Sequence, residues 1–183
     1  MAMKPEKIIS PWITRFAHLA PDHLPVLDIA CGSGRHTRFF RKRGLRVTAT
    51  DIDLSGMADL EADDGVTLVK CDLEDGTCWP FGTQTFGTVV VTNYLHRPLL
   101  PSIVATLAHG GVLIYETFAL GQAEFDRPSN PNHLLKPGEL IEAVRGKLQI
   151  VAYEHGQFQQ PRPSVRQRIC AVNGQLPVTW NDA

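Results

Sequence analysis

The stretch Val26-Leu27-Asp28-Ile29-Ala30-Cys31-Gly32-Ser33-Gly34-Arg35-His36 predicts most of the fold. It begins as a short apolar strand, passes through a tight glycine turn and enters a helix. A strand, turn and helix in this order bring backbone N–H groups and a helix N-terminus close to a nucleotide-like ligand. Gly32 and Gly34 remove side chains where such a ligand must approach closely. The dinucleotide fingerprint G-x-G-x-x-G is not met, because its third glycine position holds Thr37.

Aspartates mark the ends of the first three predicted strands. Asp28 lies at the end of the first strand, Asp51 follows the second and Asp72 follows the third. Asp51 comes 17 residues after Gly34, close to the spacing at which an acid meets ribose hydroxyls in doubly wound folds. Asp72 is placed to meet an adenine amino group. Three such strand ends in succession, the first with a glycine turn, predict a nucleoside site.

Strand and helix patterns alternate along the chain, which predicts a three-layer α/β sandwich. Its sheet is expected to be Rossmann-like, mostly parallel and seven-stranded, with a C-terminal antiparallel hairpin. The predicted elements are a helix over Ile8–Ala20, strand Val26–Ala30, a helix over about Arg35–Lys42, strand Leu45–Thr50, a short helix around Leu54–Glu61, strand Val66–Cys71, a loop over Asp75–Gly87, strand Thr88–Thr92, a helix over Leu99–Ala108, strand Val112–Thr117, a short helix opened by Pro137, and a hairpin of Leu148–Glu154 with Val165–Val172.

These motifs resemble the class I S-adenosylmethionine-dependent methyltransferases, and the resemblance covers nearly the whole chain. The segment from Asp28 to Gly34 resembles the first motif of that family, Asp51 its ribose-binding acid, and Asp72-Leu73 its adenine-contacting pair. Ala30 departs from the pattern, since the family more often has glycine there. His109-Gly110-Gly111 is similar to the Pro-Gly-Gly turn that leads into strand five.

The resemblance extends to a branch of the family. Four stretches look most like the small bacterial branch that includes tellurite-resistance and thiopurine-type methyltransferases. They are Ser10-Pro11-Trp12, Arg35-His36, Asn93-Tyr94-Leu95-His96-Arg97-Pro98 and Tyr115-Glu116-Thr117-Phe118.

The resemblance implies S-adenosylmethionine as cofactor, with S-adenosylhomocysteine as product. The cofactor-binding residues that it implies are Arg15, Asp28, Ala30, Cys31, Gly32, Ser33, Gly34, Arg35, His36, Asp51, Ile52, Asp72, Leu73, Asn93 and Tyr94. Arg15 lies on the first helix and is expected to bind the methionine carboxylate as a charge-assisted pair. Three of these residues also have a structural alternative to cofactor binding. Asp28 would cap the glycine turn, Asp72 would be a turn residue, and Cys31 would be a small buried residue.

The predicted catalytic residues are His96, Glu116 and Tyr94. His96 follows strand four and is either a general base, since its ordinary pKa lies near neutrality, or a residue that orients the loop. Glu116 ends strand five and either orients the substrate, acts as a base, or bonds to neighbouring backbone. Arg97 either binds an anionic substrate or pairs with an acid. The segment 119–137 is expected to form a substrate lid.

Composition sets limits on class and partners. A chain of 183 residues is expected to form a single domain. Its net charge of −1 makes a nucleic-acid partner unlikely on bulk electrostatics. The four cysteines have no C-x-x-C spacing and are expected to be reduced thiols: Cys31, Cys71, Cys78 and Cys170. Reduced thiols and the lack of a leader-like segment together favour a cytoplasmic location. No apolar run predicts a membrane span, and the histidine spacing predicts no metal site.

The function expected from the sequence is methyl transfer to a small-molecule acceptor by direct in-line displacement, in a monomer or homodimer. An RNA or protein methyltransferase is one alternative. A nicotinamide-dependent oxidoreductase is another, although the third glycine and a Tyr-x-x-x-Lys pair are missing. A non-catalytic module that only binds cofactor is the third. Fold analogy alone does not separate binding from turnover.

Overall fold

The computed structural model describes residues 8–76, 79–160 and 162–174. Seven strands lie within these residues: β1 Val26–Ile29, β2 Val47–Asp51, β3 Val66–Lys70, β4 Phe86–Thr92, β5 Leu107–Phe118, β6 Gln149–Phe158 and β7 Ser164–Val172. They form one sheet in the order β3-β2-β1-β4-β5-β7-β6. Strands β1 to β5 pair in parallel, whereas β7 is antiparallel to both β5 and β6. The predicted mostly parallel sheet with an antiparallel hairpin is therefore confirmed.

Helices cover both faces of the sheet. Within the described ranges the α-helices are α1 Pro11–Phe16, α2 Arg35–Lys42, α3 Leu100–Ala105 and α4 Glu139–Val144. Alternate residues of a strand point to opposite faces, so the buried strand β4 serves two cores. Its Val90 packs with Ile13 and Phe40 of α1 and α2. Its Val89 and Val91 lie in the other core, which includes residues of α3 and α4. The predicted three-layer sandwich is confirmed.

The first helix is shorter than the sequence predicted. It begins at Pro11 with Ser10 as N-cap, whose side-chain oxygen accepts hydrogen bonds from the backbone N–H groups of Trp12 and Ile13. The α-helix ends at Phe16, and a 3-10 turn covers Ala17–Leu19. The prediction of one helix over 8–20 was wrong at both ends.

Other boundaries shift in the same way. The second strand begins at Val47 rather than Leu45, and a 3-10 segment, Ser55–Leu60, replaces the short helix. The helix predicted over 99–108 ends at Ala105 because β5 already begins at Leu107. Backbone hydrogen bonds join Gly110 N to Asn173 O and Asn173 N to Gly111 O, at 2.6 and 2.8 Å, and hold this segment extended. Cys78, part of the predicted loop, lies outside the described residues.

A buried hydrogen bond joins β1 to α2. The Thr37 hydroxyl donates to Asp28 Oδ2 at 2.7 Å, and both residues are buried. Burial raises the pKa of Asp28 to about 6, although hydrogen bonds from the hydroxyl and backbone N–H of Thr37 oppose that rise. Asp28 therefore lies beneath the glycine turn and holds it to the helix, which agrees with the capping alternative.

The raised pKa predicts a specific pH dependence of stability. Between about pH 4 and pH 6 the folded protein keeps on Asp28 a proton that the unfolded chain has released. Asp28 therefore lowers the free energy of unfolding as the pH rises through this interval. We expect the free energy of unfolding of the wild type minus that of Asp28→Asn to fall between about pH 4 and 6 and to level off above it, measured by urea denaturation.

Asp64→Asn, which removes an exposed carboxylate, is the control for the change in charge. A stability difference between wild type and Asp28→Asn that stays constant from about pH 4 to 7 would contradict the placement of Asp28 in a buried, desolvated site.

Candidate functional site

The C-terminal ends of the parallel strands meet at the point where the strand order reverses. β1 lies between β2 and β4, so its following turn opens beside the ends of both. In open α/β sheets a crevice at such a position is where ligands bind. One cavity lies here on the side of β2 and β3, and another lies on the side of β4, β5 and β7.

The glycine turn has a left-handed backbone at three positions. Ala30, Gly32 and Gly34 have φ angles of +51°, +54° and +74°. Ala30 stands where the resembling family more often has glycine, and its positive φ explains that preference. A side chain placed at Gly32 would meet no atom within 4 Å, so Gly32 faces open space. The backbone of Gly32 is therefore accessible to a ligand.

Gly34 differs from Gly32. A Cβ atom at Gly34 would lie 2.7 Å from Met57 Cε and 2.9 Å from an Arg38 guanidinium nitrogen. The space beside Gly34 is thus taken up by packing within the protein, and its role in binding a ligand stays a prediction. The Arg38 side chain also donates to the backbone carbonyl of Ser33 and pairs with Asp59, which fixes the outer side of the turn.

Asp51 links the glycine turn to the end of β2. Its Oδ2 atom accepts a hydrogen bond from the Gly32 backbone N–H at 2.8 Å, and its Oδ1 atom accepts one from Asp53 N at 3.1 Å. A carboxylate has about four acceptor sites, so each oxygen retains capacity for a ligand hydroxyl. Asp51 thus stands at the junction of the two strand ends, half-buried and facing a cavity.

That cavity, which we call the strand-end cavity, has a volume of about 420 Å³. This is within the usual range of small-molecule sites. Its lining residues lie at or just beyond the C-terminal ends of the strands β1 to β4. They are Ala30, Asp51, Ile52, Cys71, Asp72, Leu73, Glu74 and Tyr94. Six of these were predicted from the sequence, whereas Cys71 and Glu74 were not assigned to the site.

Cys31 lies behind the turn. It is 9% exposed, and its sulfur is 3.4 Å from the sulfur of Met57. Burial, together with the negative charges of Asp28 and Asp51, raises the pKa of the Cys31 thiol well above its usual range. The thiol is therefore protonated at neutral pH, as suits a packing residue.

His36 also lies behind the turn, in a buried hydrogen-bond network. Its Nε2 atom accepts from the backbone N–H of Ser10 at 3.3 Å, and Nδ1 lies 3.3 Å from the Thr92 hydroxyl. Burial and the neighbouring Arg35 charge lower the pKa of His36 to about 3, so the ring is neutral. The structure thus places His36 between the segment before α1 and the end of β4, and His36 lines neither cavity.

The second cavity, which we call the arginine cavity, has a volume of about 190 Å³. Five arginines line it: Arg35, Arg127, Arg162, Arg166 and Arg168. The predicted site residues Asn93 and Glu116 line it as well. Asn93 has φ of +56°, and its side-chain oxygen accepts a hydrogen bond from Arg166 at 2.7 Å. Arg35 lies at the start of α2 and donates to Thr92 Oγ1 at 3.5 Å, so this cavity begins beside the glycine turn.

The predicted catalytic residues do not converge on one cavity. Glu116 is buried in the arginine cavity and forms an ion pair with Arg168, with 3.0 Å between Oε2 and Nε. Tyr94 lines the strand-end cavity, and burial raises the pKa of its hydroxyl well above the usual range. His96 lines neither cavity; its Nδ1 atom lies 3.7 Å from Glu74 Oε2. A neutral Tyr94 hydroxyl is available as a hydrogen-bond donor but not as a base.

Arg15 is not brought to the crevice. Its guanidinium pairs with Glu154 of β6 at 3.1 Å and lies over the rings of Trp12 and Phe16. It lines neither cavity, because α1 turns this side chain toward the antiparallel edge of the sheet. The structure therefore gives no support to a contact between Arg15 and the methionine carboxylate.

The predicted lid is tied to the sheet. Arg97 donates to the Glu139 carboxylate at 2.6 Å and to the backbone carbonyls of Asn132 and Leu134. The buried Gln122 accepts a hydrogen bond from Val165 N at 2.9 Å. Of the two alternatives for Arg97, pairing with an acid is the one that the structure shows. Segment 119–137 forms a wall of the arginine cavity through Gln122, Asp126 and Arg127.

Sequence reasoning missed the arginines of the last hairpin. Arg166 and Arg168 are two residues apart on β7, so they share one face of the sheet. The register places Arg166 opposite Phe118 and Arg168 opposite Glu116 at the end of β5. The alternation Arg-x-Arg in a predicted strand was visible. Its position beside the crevice depended on β7 pairing with β5, which periodicity does not specify.

Among the residues that the structure describes, no group of three or more His, Cys, Asp or Glu side chains is placed to hold a metal ion. Within the same described ranges, no helix is both long and apolar enough to cross a bilayer.

Comparison with known proteins supplies the family context. Residues 26–111 match a family model described as a methyltransferase domain. No curated protein matches the chain.

Several solved structures share the fold. An S-adenosylmethionine-dependent methyltransferase from Mesorhizobium loti matches with a TM-score of 0.67 and 16% identity, over 86% of this chain and 95% of that chain. A 1,6-didemethyltoxoflavin-N1-methyltransferase from Burkholderia thailandensis matches with a TM-score of 0.63 and 22% identity, over 90% and 76% of the two chains. A geranyl diphosphate C-methyltransferase from Streptomyces coelicolor A3(2) matches with a TM-score of 0.65 and 15% identity, over 88% and 76%.

At these identities the structural likeness establishes the fold, and the family match covers the strands and turns that form the strand-end cavity. Residues 26–111 therefore resemble a methyltransferase domain, and the chain shares the fold of solved S-adenosylmethionine-dependent methyltransferases.

Proposed function

We propose that this chain binds S-adenosylmethionine in the strand-end cavity and transfers its methyl group to a small-molecule acceptor. The observation that carries the proposal is the junction at Asp51, where one carboxylate joins the exposed Gly32 backbone to the end of β2. A ligand with vicinal hydroxyls suits this carboxylate, and the open space at Gly32 leaves room for the ligand's approach. Asp72 and Leu73 line the other side of the cavity, where an adenine ring would be held.

In-line displacement asks the protein for alignment and exclusion of water rather than for a covalent intermediate. Bound in this cavity, S-adenosylmethionine would supply an electrophilic methyl group, which an acceptor atom would take as the carbon–sulfur bond breaks; the electron pair would stay on sulfur, and any proton on the acceptor atom would be released. Asn93, whose backbone N–H donates a 3.0 Å hydrogen bond to Glu116 O, lines the arginine cavity, and the next residue, Tyr94, lines the strand-end cavity. This arrangement supports a cofactor site with an acceptor site beside it.

A small acceptor fits the dimensions of the second cavity. Its volume of about 190 Å³ lies below the range of sites for drug-sized ligands. Two of the similar structures are named for methylation of small molecules, 1,6-didemethyltoxoflavin and geranyl diphosphate. These names support a small-molecule acceptor for this chain without indicating which one.

Several narrower expectations remain proposals. They are assignment to the tellurite-resistance and thiopurine-type branch, organisation as a single domain over 1–183, a monomeric or homodimeric state, and a cytoplasmic location. Cys31, Cys71 and Cys170 are free thiols in the structure, which suits a reducing compartment.

Direct binding tests the proposal. We expect S-adenosylmethionine and S-adenosylhomocysteine to bind the wild type in isothermal titration calorimetry. Asp51→Asn should lower the affinity for both ligands by about tenfold or more, because it removes a charged acceptor for ribose hydroxyls. Asp64→Asn removes an exposed carboxylate away from the cavity and should bind as the wild type does. Binding of NADH in place of both ligands would support the oxidoreductase alternative and refute this proposal.

A pair of glycine variants tests the location of the site. Gly32 and Gly44 both have positive φ and both have open space where a Cβ atom would lie. Alanine at either position therefore imposes similar backbone strain, of about 1–2 kcal/mol. Only Gly32 faces the proposed cofactor site, so Gly32→Ala should lower affinity for S-adenosylhomocysteine and Gly44→Ala should not. Equal affinities in the two folded variants would place the cofactor elsewhere.

A further inference from the structure

The arginine cavity carries more positive than negative charge. Its five arginines face two carboxylates, Glu116 and Asp126. Guanidinium groups remain protonated in proteins, so this excess of positive charge persists at all physiological pH values. A cavity with this lining favours an anion over a neutral or cationic ligand.

Part of this charge is neutralised within the protein. Arg168 pairs with Glu116 at 3.0 Å and with Glu154 at 3.5 Å. The Arg168 and Glu116 side chains are 12% and 6% exposed, so this pair is largely removed from water. Arg162 lies 3.8 Å from Asp126, with both side chains mostly exposed. These contacts account for both carboxylates of the cavity.

Arg166 is held differently from Arg168. Its guanidinium donates to Asn93 Oδ1 at 2.7 Å and to Ser164 Oγ at 3.1 Å, and both acceptors are neutral. It lies 4.1 Å above the centre of the Phe118 ring. Within the described parts of the chain, no carboxylate lies within 4.0 Å of it as a direct ion-pair partner. Arg166 is thus fixed in position as a charge with neutral hydrogen-bond partners.

The surroundings of Arg166 make this arrangement costly without a ligand. Burial lowers the pKa of Arg166, as do the charges of Arg168, Arg35 and Arg162, while Glu116 opposes the shift. A partly desolvated cation among other cations is stabilised when an anion binds beside it. Because Asn93, Ser164 and Phe118 already fix the side chain, little rotamer entropy is lost on binding.

We propose that the acceptor carries an oxyanion group, a carboxylate or a phosphate, which binds to Arg166 in the arginine cavity. This inference rests on the proposed methyltransferase function and specifies its substrate class. Arg162 and Arg127 lie at the exposed side of the same cavity and add attraction for the anion. The apolar lining, which includes Phe118, Pro11 and Ile8, accommodates a small organic body attached to the oxyanion.

Matched probes on the protein loaded with S-adenosylhomocysteine test this inference. Loading first occupies the place of the methionine carboxylate, so that the cofactor's own anion is not the group detected. Benzoate, phenyl phosphate and the neutral benzamide are then titrated by ligand-observed NMR. We expect either anion to bind at least about tenfold more tightly than benzamide, as hydrogen bonds to a charged group imply. The tighter of the two anions distinguishes a carboxylate site from a phosphate site.

Variants connect the binding to Arg166. Arg166→Gln should lower the affinity for the preferred anion by about tenfold or more, and Arg166→Lys should lower it by a smaller factor. Arg46→Gln alters an exposed arginine outside the cavity and should leave that affinity unchanged. Arg162 is exposed, so Arg162→Gln should fold as the wild type does, and it should lower the affinity for the anion by a smaller factor than Arg166→Gln does.

The outcomes separate this inference from the proposed function. If S-adenosylhomocysteine fails to bind the wild type, the methyltransferase proposal fails, and anion binding is then measured on the unloaded protein. If the cofactor product binds but benzoate and phenyl phosphate bind no better than benzamide, the oxyanion inference is wrong. It is also wrong if folded Arg166→Gln binds the anions as the wild type does; should Arg166→Gln not fold, unchanged anion affinity in Arg162→Gln refutes the inference instead.

Discussion

The hydrogen bond from Gly32 N to Asp51 Oδ2 is the contact on which the organisation of the site depends. It joins the turn after β1 to the end of β2 at 2.8 Å, and the same carboxylate also accepts from Asp53 N. The backbone of the turn is thereby fixed with Gly32 open to the crevice. Asp28 binds Thr37 beneath the turn and Arg38 binds the Ser33 carbonyl on its outer side, so the turn is held from both sides. One rigid loop therefore presents an exposed backbone and a carboxylate to the same cavity.

The sequence predicted those parts of the structure that local patterns determine. The apolar run of β4, the strand-end aspartates and the glycine turn each lie where periodicity and turn chemistry placed them. Asp51 and Asp72 line one cavity because parallel strands bring their C-terminal ends to one edge of a sheet. Helix ends were predicted less well: α1 stops at Phe16 and α3 at Ala105, where tertiary contacts and the start of β5 override helical periodicity.

Sequence patterns did not predict the directions of side chains or the pairing of elements that are distant along the chain. The family resemblance implies that Arg15 lies on a helix over the cofactor, yet its partner is Glu154 on β6, 139 residues away. Gly34 has the appearance of a ligand-facing glycine, yet Met57 and Arg38 occupy the space beside it. The arginines of β7 reach the crevice only through antiparallel pairing with β5. These outcomes depend on which elements become neighbours, a property of the whole fold. The two cavities thus differ in how they arise: local motifs build the strand-end cavity, and the last hairpin supplies the charge of the arginine cavity.

The central claim, that this crevice holds S-adenosylmethionine, is tested most directly by mapping where the cofactor product binds. Backbone amide signals of the ¹⁵N-labelled protein would be followed during titration with S-adenosylhomocysteine. We predict the largest shifts at Gly32, Ile52 and Leu73, with little change in the outer strand β6. Shifts confined to β6, or no shifts at saturating ligand, would contradict the account.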